Sequence, residues 1–286
     1  MDARKALEKL DSLFANKRIN EVEGFLLSSL KEAEEDDDIS SIITLVNELI
    51  GFYRSMSRFS DSIVYCDYII SLMEEVGLNQ TINYATTLLN VATAYRAAGR
   101  LEQSMEYYNE VLNIYEEKLS RNDFRFASLY NNMSLLYQEL KEYEKACECL
   151  ENALSIVVLY KDAEIEVAVT HTNLAMSLLK LDRIDEAINH IEKSLEIFEH
   201  GEPKDFHYAS SLAAMAEAQF KLKNYDKAIE FYNKSLVEIK NNAGENSSYA
   251  ITCKNLSVVY NEIGNKKEAD KYYKKSKEVY DKLHKK

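Results

Sequence analysis

The chain has 286 residues, 46% of them apolar, and a formal net charge of −13 at pH 7. The apolar share is sufficient for a large core, while the acidic balance argues against nucleic-acid binding, which needs lysine and arginine against phosphate. Only seven glycines and one proline interrupt the chain, so helices joined by short turns are predicted.

The N-terminal segment MDARKALEKLDSLF is charged and amphipathic and lacks the apolar core of a secretory signal. No stretch approaches the roughly 18 consecutive apolar residues of a membrane-spanning helix. The four cysteines, Cys66, Cys147, Cys149 and Cys253, show neither metal-ligand nor disulfide spacing, and they are predicted to be small buried hydrophobes. We therefore expect a cytoplasmic protein without membrane contact, metal or cofactor.

The first predicted element is a degenerate helical hairpin, which the acidic run Glu34–Asp38 separates from the rest of the chain. Residues 39–77 then carry a weak version of the pattern that follows. We expect residues 1–38 to be an N-terminal helical cap and residues 39–286 to be an array of about six repeats. The last segment, 266–286, carries nine lysines against four carboxylates. It is predicted to be a solvated basic end helix, because terminal repeats need polar outer faces.

A motif built on one alanine recurs every 41 or 42 residues through most of the chain. The alanines are Ala85, Ala127, Ala168, Ala209 and Ala250, and each opens a similar run, such as YATTLLNVATAY or YAITCKNLSVVY. Self-similarity at this period is typical of a solenoid of stacked units. The functional question therefore concerns a binding surface more than an active site.

Each unit is predicted to be a helix–turn–helix hairpin. In the first clear unit, Leu88, Val91, Ala92 and Tyr95 share one helical face, and Gly99 ends the helix. Small residues recur at one site of the first helix and one site of the second: Ala92, Ser134, Ala175, Ala216 and Ser257, then Ala146, Ala187, Ala228 and Ala269. Helices approach closely only where side chains are small, so these residues are expected to be buried, with aromatic side chains filling the space between units.

The runs YNNMSLLYQELKEYEKACECLENAL and MAEAQFKLKNYDKAIEFYNKSL resemble the tetratricopeptide repeat, in the 41–42-residue variety of kinesin light chains and bacterial peptide-sensing regulators. The resemblance covers residues 79–286 and, more weakly, residues 39–77, where Ile50 stands at the site of a small residue. It implies an all-α fold, a right-handed superhelix or α-solenoid of antiparallel helix pairs whose first helices line the concave side. It also implies a protein that binds proteins or peptides and is not an enzyme. No metalloprotease, phosphate-loop or nucleophile-elbow motif appears, and His171 lies on the core stripe, where it is expected to be a packing residue.

A second stripe on the first helices, opposite the core stripe, is the predicted binding surface. Asparagines hold the same place in it, five residues after the motif alanine, at Asn90, Asn132, Asn173 and Asn255, and only Ala214 breaks the series. An asparagine amide offers two donors and an acceptor, which suits a peptide backbone. In the families that the chain resembles, an asparagine here holds the backbone of a bound peptide. The residues alone leave open the alternative that these amides only bond the adjacent helix.

The candidate peptide-binding residues are Asn90, Thr93, Asn131, Asn132, Leu135, Asn173, Met176, Glu217, Lys254 and Asn255. Leu135 and Met176 offer apolar contact, whereas Glu217 favours a ligand with basic character. Lys254 and Arg96 are isolated in this pattern, so no cluster of cations is expected to clamp a terminal carboxylate.

Three functions fit such a surface. The leading hypothesis is an interaction module that binds a peptide or an extended protein segment in the concave groove. The alternatives are a peptide-sensing regulator of a separate effector protein and a structural scaffold without a groove ligand. Residues 1–38 are too short and too acidic for a DNA reader, so the regulator hypothesis requires the effector to be a different polypeptide. The sequence predicts neither the partner nor the oligomeric state.

Overall fold

The computed structural model describes residues 3–201 and 206–284, which form fourteen α-helices. In chain order these are α1 (Ala3–Ala15), α2 (Ile19–Glu35), α3 (Ile39–Ser55), α4 (Phe59–Glu75), α5 (Ile82–Ala97), α6 (Leu101–Lys118), α7 (Phe124–Glu139), α8 (Tyr143–Val157), α9 (Glu164–Lys180), α10 (Ile184–His200), α11 (Phe206–Lys221), α12 (Tyr225–Ala243), α13 (Ser247–Glu262) and α14 (Lys266–His284). Strands are absent from these described residues, so the predicted all-α class is confirmed.

The chain divides into two compact units, Met1–Leu136 and Tyr137–Lys286. In the first unit α1 packs on α2, α3 on α4 and α5 on α6. In the second unit α9 packs on α10, α11 on α12 and α13 on α14. First helices of successive pairs also touch, α3 with α5 in the first unit and α9 with α11 in the second. The predicted hairpins therefore form, and their first helices lie side by side within each unit.

The turn inside each hairpin has the same backbone form. One residue adopts a positive φ, between 56° and 75°, at Ser57, Gly99, Lys141, Asp182, Lys223 and Gly264. The next amide then donates to a carbonyl five residues back, as Arg100 N does to Tyr95 O at 2.9 Å. This is the Schellman arrangement that ends many helices. Most of these turns place a residue other than glycine in the left-handed region, so the hydrogen bond, more than the residue type, determines the turn.

The predicted small residues are buried. Those of the first helices are at most 6% exposed and those of the second helices at most 8%. Ile50 is also fully buried, so the hairpin of residues 39–77, whose repeat pattern is weaker, keeps the same packing with a larger side chain. Ser62 and Ser104, at the small site of the second helix, each donate a hydrogen bond across their own hairpin. The acceptors are Ile50 O at 3.0 Å and Ala92 O at 2.8 Å.

Aromatic side chains link successive hairpins, as predicted. The Tyr95 hydroxyl on α5 donates to Asp67 Oδ1 on α4 at 2.8 Å, and the equivalent Tyr53 on α3 donates to Glu23 Oε1 on α2 at 3.0 Å. All four cysteines are buried free thiols. Burial raises the pKa of the Cys147 thiol to about 11, which makes it unreactive near neutral pH.

Candidate functional site

In the first unit, asparagines on neighbouring first helices bond each other. Asn90 Nδ2 on α5 donates to Asn47 Oδ1 on α3 at 2.8 Å. The Asn47 amide itself donates to Ile43 O at 2.9 Å and to Thr87 Oγ1 at 3.1 Å. The 42-residue shift that relates Ile50 to Ala92 places Glu48 at the position of Asn90, so Asn47 stands one residue before the asparagine series and the repeat pattern does not predict its contact. The alternative that these amides bond adjacent helices is realised in part.

The internal bonds leave hydrogen-bonding capacity unused. The bond to Asn47 takes one N–H of the Asn90 amide, and among the described residues its second N–H and its Oδ1 have no further partner. Asn132 Nδ2 donates to Ser128 O on its own helix at 2.9 Å. Asn132 Oδ1 lies 3.4 Å from Thr93 Oγ1, but that single hydroxyl proton has a closer acceptor in Leu89 O at 2.9 Å. Both amides are half-buried, so each can still offer one donor and one acceptor to a ligand.

The remaining predicted residues of the first unit differ in what they offer. Asn131 Nδ2 donates to Ala127 O at 3.1 Å, so it bonds its own helix. Thr93 Oγ1 also lies 3.1 Å from the Tyr108 hydroxyl. Leu135 is half-buried. The first unit therefore brings Asn90, Thr93 and Asn132 together, while Asn131 is directed to its own backbone.

Two arginines lie near each other in the first unit, so Arg96 is not isolated as expected. Arg54 and Arg96 end α3 and α5 at equivalent positions. Burial and the nearby charge of Arg96 lower the pKa of the half-buried Arg54 guanidinium. A pattern taken one helix at a time does not show this proximity, because it arises from the packing of α3 on α5.

In the second unit, the ion pairing of Glu217 changes what this residue can do. Lys180 Nζ on α9 lies 2.7 Å from Glu217 Oε1 on α11, and Lys221 Nζ lies 3.1 Å from Asp182 Oδ1. Because Lys180 compensates the Glu217 charge, the attraction of this carboxylate for a basic ligand is weaker than the sequence suggests. Lys254 on α13 is exposed.

The two predicted asparagines of the second unit also take part in hydrogen bonds, Asn173 through its backbone and Asn255 through its side chain. Asn173 is half-buried, and its backbone carbonyl accepts from Ser177 Oγ at 3.2 Å. The half-buried Asn255 amide is in hydrogen-bonding contact with the Tyr232 hydroxyl. The first hydrogen bond lies within α9, and the second joins α13 to α12.

A pocket of about 200 Å³ opens on the first helices of the second unit. Three predicted residues, Met176, Glu217 and Asn255, line it, and so does Ala214, the position at which the asparagine series breaks. The pocket lies between α9, α11, α12 and α13, with Ile251 exposed at its edge. The sequence pattern shows the break at Ala214 but not that it opens a pocket.

Other kinds of site find no support in the described ranges, 3–201 and 206–284. No three or more histidine, cysteine or acidic side chains there are grouped as a metal site requires. In the same part of the chain, no helix combines the length and the apolar character needed to cross a bilayer.

Comparison with known families gives a direct match. The family model described as tetratricopeptide repeat matches residues 40–117, 125–200, 166–236 and 207–282. No curated protein sequence matches the chain significantly.

Solved structures share the fold at low sequence identity. BtubC (BKLC) from P. vanneervenii gives a TM-score of 0.58 at 19% identity, over 84% of this chain and 93% of that chain. NprR in complex with its cognate peptide NprX gives 0.68 at 18% identity, over 98% and 80%. A Rap protein complexed with Competence and Sporulation Factor gives 0.69 at 12% identity, over 99% and 78%. At these identities the likeness concerns the fold.

Proposed function

The chain belongs to the tetratricopeptide repeat family, and on this basis we propose that it is an interaction module, not an enzyme, that binds a peptide or an extended protein segment along its first helices. One observation carries the proposal: the Asn90 and Asn132 amides are fixed by one internal hydrogen bond each and keep a donor and an acceptor for a ligand. A peptide unit presents the complementary pair whatever its side chain. An amide that is already oriented loses little conformational entropy on binding, which favours affinity.

A peptide-sensing regulator of a separate effector protein is the second candidate. NprR and the Rap protein, which share the fold, are described in complex with a peptide and with a competence and sporulation factor. The two candidates share the binding step and differ in whether the ligand changes the affinity for another protein. A structural scaffold without a ligand on the first helices is the third.

The proposal extends to three further properties. Residues 1–38 serve as a helical cap of the array, and the module works in the cytoplasm on protein or peptide partners, without nucleic acid or membrane. Any preference for a basic ligand depends on exposed carboxylates such as Glu262, because Glu217 is paired with Lys180.

The test compares two variants against a phage-displayed library of random peptides. Asn90→Ala/Asn132→Ala removes the two free amides. Asn109→Ala/Asn113→Ala, the matched control, removes two exposed asparagines from the second helix α6. Peptides selected on the native chain should bind the first variant about tenfold more weakly, because two hydrogen bonds of about 0.5–1.5 kcal/mol each are lost.

The control variant should bind those peptides as the native chain does. Equal affinity of both variants, with unchanged helical content by circular dichroism, would exclude Asn90 and Asn132 as ligand-binding residues. Failure to select any peptide would favour the scaffold alternative.

A further inference from the structure

The pocket at Ala214 coincides with the break in the asparagine series. First helices elsewhere carry an amide at this place, as α9 does at Asn173 and α13 at Asn255. On α11 the side chain is a methyl group, 4% exposed. The shorter side chain leaves a space between α9, α11 and α13, and the pocket of about 200 Å³ includes this space.

The walls of this pocket are mainly apolar. Met176, Ala213, Ile239 and Ile251 surround Ala214. Met176 is 38% exposed and Ile251 is 60% exposed, so apolar surface at the mouth meets water and would be covered by a ligand. An apolar cavity of about 150 Å³ is large enough to bind benzene, so the Ala214 pocket has room for a whole aliphatic or aromatic side chain.

Three polar groups of the lining already have partners inside the protein. Glu217 is 2.7 Å from Lys180 Nζ. The Asn246 side chain accepts from Tyr249 N at 3.0 Å, and Ser235 Oγ donates to Ala209 O at 2.8 Å. No uncompensated charge therefore faces the pocket from these groups, and a charged side chain would lose hydration there without gaining a counter-charge.

We propose that the Ala214 pocket receives one large neutral apolar side chain, of leucine to phenylalanine size, from the segment that the protein binds. This inference rests on the proposed function and names the residue class that the ligand must contain. Ala214 is then a specificity-determining residue, because an asparagine here would narrow the pocket and place an amide among its apolar walls. Asn255, on the rim, lies close enough to contact the backbone that carries the inserted side chain.

The test uses single capped amino acids as probes and methyl NMR as the readout. Protein labelled at its methionine, isoleucine and alanine methyl groups is titrated with N-acetyl-leucinamide, N-acetyl-phenylalaninamide, N-acetyl-lysinamide and N-acetyl-glycinamide. The leucine and phenylalanine probes should shift the methyl signals of Met176, Ala214 and Ile251. The lysine and glycine probes should shift them at least fivefold less.

Two variants connect the signal to the pocket. Ala214→Asn should reduce the leucinamide shifts at Met176 and Ile251 at least fivefold, whereas Ala97→Asn, the same change on the half-buried face of α5, should leave them unchanged. Ile251→Ser alters an exposed side chain, so it tests the same surface if Ala214→Asn fails to fold. Shifts of equal size with the glycine probe, or undiminished shifts in both Ala214→Asn and Ile251→Ser, would overturn the proposal.

The outcome is separable from that of the proposed function. Library peptides that bind the native chain and Ala214→Asn equally, and that show no enrichment of apolar residues, would reject the pocket while the module remains. Leucine-specific shifts without any selected peptide would support the pocket and count against peptide binding along the asparagine series.

Discussion

His171 Nδ1 on α9 lies 2.7 Å from His190 Nδ1 on α10. The ring centroids are 4.9 Å apart, and His171 is 7% exposed. One ring must donate and the other accept at this distance, so the two imidazoles are not both protonated. Burial, His190 and Lys193 together lower the pKa of His171 to about 4. Burial and Lys193 lower the pKa of His190, and the nearby Glu186 opposes this shift.

This pair predicts loss of stability in mild acid. Below about pH 6.5 a histidine in the unfolded chain takes up a proton, whereas folded His171 does so only near pH 4. The unfolded state then binds more protons, so the free energy of unfolding falls as the pH decreases from about 7 towards 4. For His171 alone the loss by pH 5 is about 2 kcal/mol. Urea unfolding, monitored by circular dichroism at pH 7.5, 6 and 5, measures this decrease in the free energy of unfolding.

The control for the pH effect is His171→Leu/His190→Leu, which keeps the apolar contacts of the hairpin and removes both titrating rings. This variant should lose far less stability between pH 7.5 and pH 5 than the native chain. Parallel pH curves for the two proteins would show that other groups cause the acid effect.

A glycine in one hairpin turn should stabilise the fold. Lys223 is exposed and has φ 62°. The left-handed region costs a residue with a side chain about 1–2 kcal/mol, while the greater freedom of glycine in the unfolded chain offsets about 0.4–1 kcal/mol. Lys223→Gly should therefore raise the free energy of unfolding by about 0.5–1 kcal/mol. Lys223→Ala should bring no gain, and a gain of equal size with alanine would assign the effect to the lost charge.

Enlarging a buried alanine should destabilise the second unit. Ala187 on α10 is fully buried, in a cluster that includes Leu178 and Ile191. Ala187→Leu forces these side chains apart, which costs about 1–3 kcal/mol. Asn189→Leu adds a similar side chain at an exposed site of the same helix and should change the urea midpoint little. An unchanged midpoint for Ala187→Leu would mean that the helices of this hairpin can separate freely.

Three buried hydroxyl groups should prove energetically coupled. Thr172 Oγ1 lies 2.8 Å from Ser194 Oγ and 2.7 Å from Ser211 Oγ, and the two serines are 2.9 Å apart. Removing one hydroxyl takes a partner from the other two, whereas removing all three leaves no buried hydroxyl unsatisfied. The single variants Thr172→Val, Ser194→Ala and Ser211→Ala should therefore lose more stability in sum than the triple variant, by about 1 kcal/mol. Strict additivity would contradict this coupling.

The repeat period made the fold predictable from sequence. One hairpin interpreted at Ala85 gives the others by addition of 41 or 42 residues, and buried Ala92 and Ala175 follow the prediction. The same procedure does not predict the bond between Asn90 and Asn47, because subtracting 42 residues from Asn90 leads to Glu48. The local sequence pattern is thus sufficient to predict the helices and their buried positions where each hairpin repeats the one before it.

Contacts between helices were less predictable. His171 and His190 stand 19 residues apart on different helices, a separation that no helical periodicity brings together. Arg54 and Arg96 lie near each other only because α3 packs on α5. The pocket at Ala214 depends on the space left by four helices together. These features arise from the distances between elements, which a one-dimensional pattern does not contain.

The serines at the small site of the second helix have a consequence for how such a chain can change length. Ser62 and Ser104 each donate to a carbonyl of the same hairpin, so the donor and its acceptor are inherited together. Duplication or deletion of that whole hairpin leaves no buried hydroxyl without its acceptor. Ser211 on α11 instead bonds Thr172 on α9, and inserting a hairpin between them would separate the two. The pairing of buried serine hydroxyl groups is therefore kept when the α3–α4 or α5–α6 hairpin is duplicated, whereas a hairpin inserted at the junction between α10 and α11 breaks it.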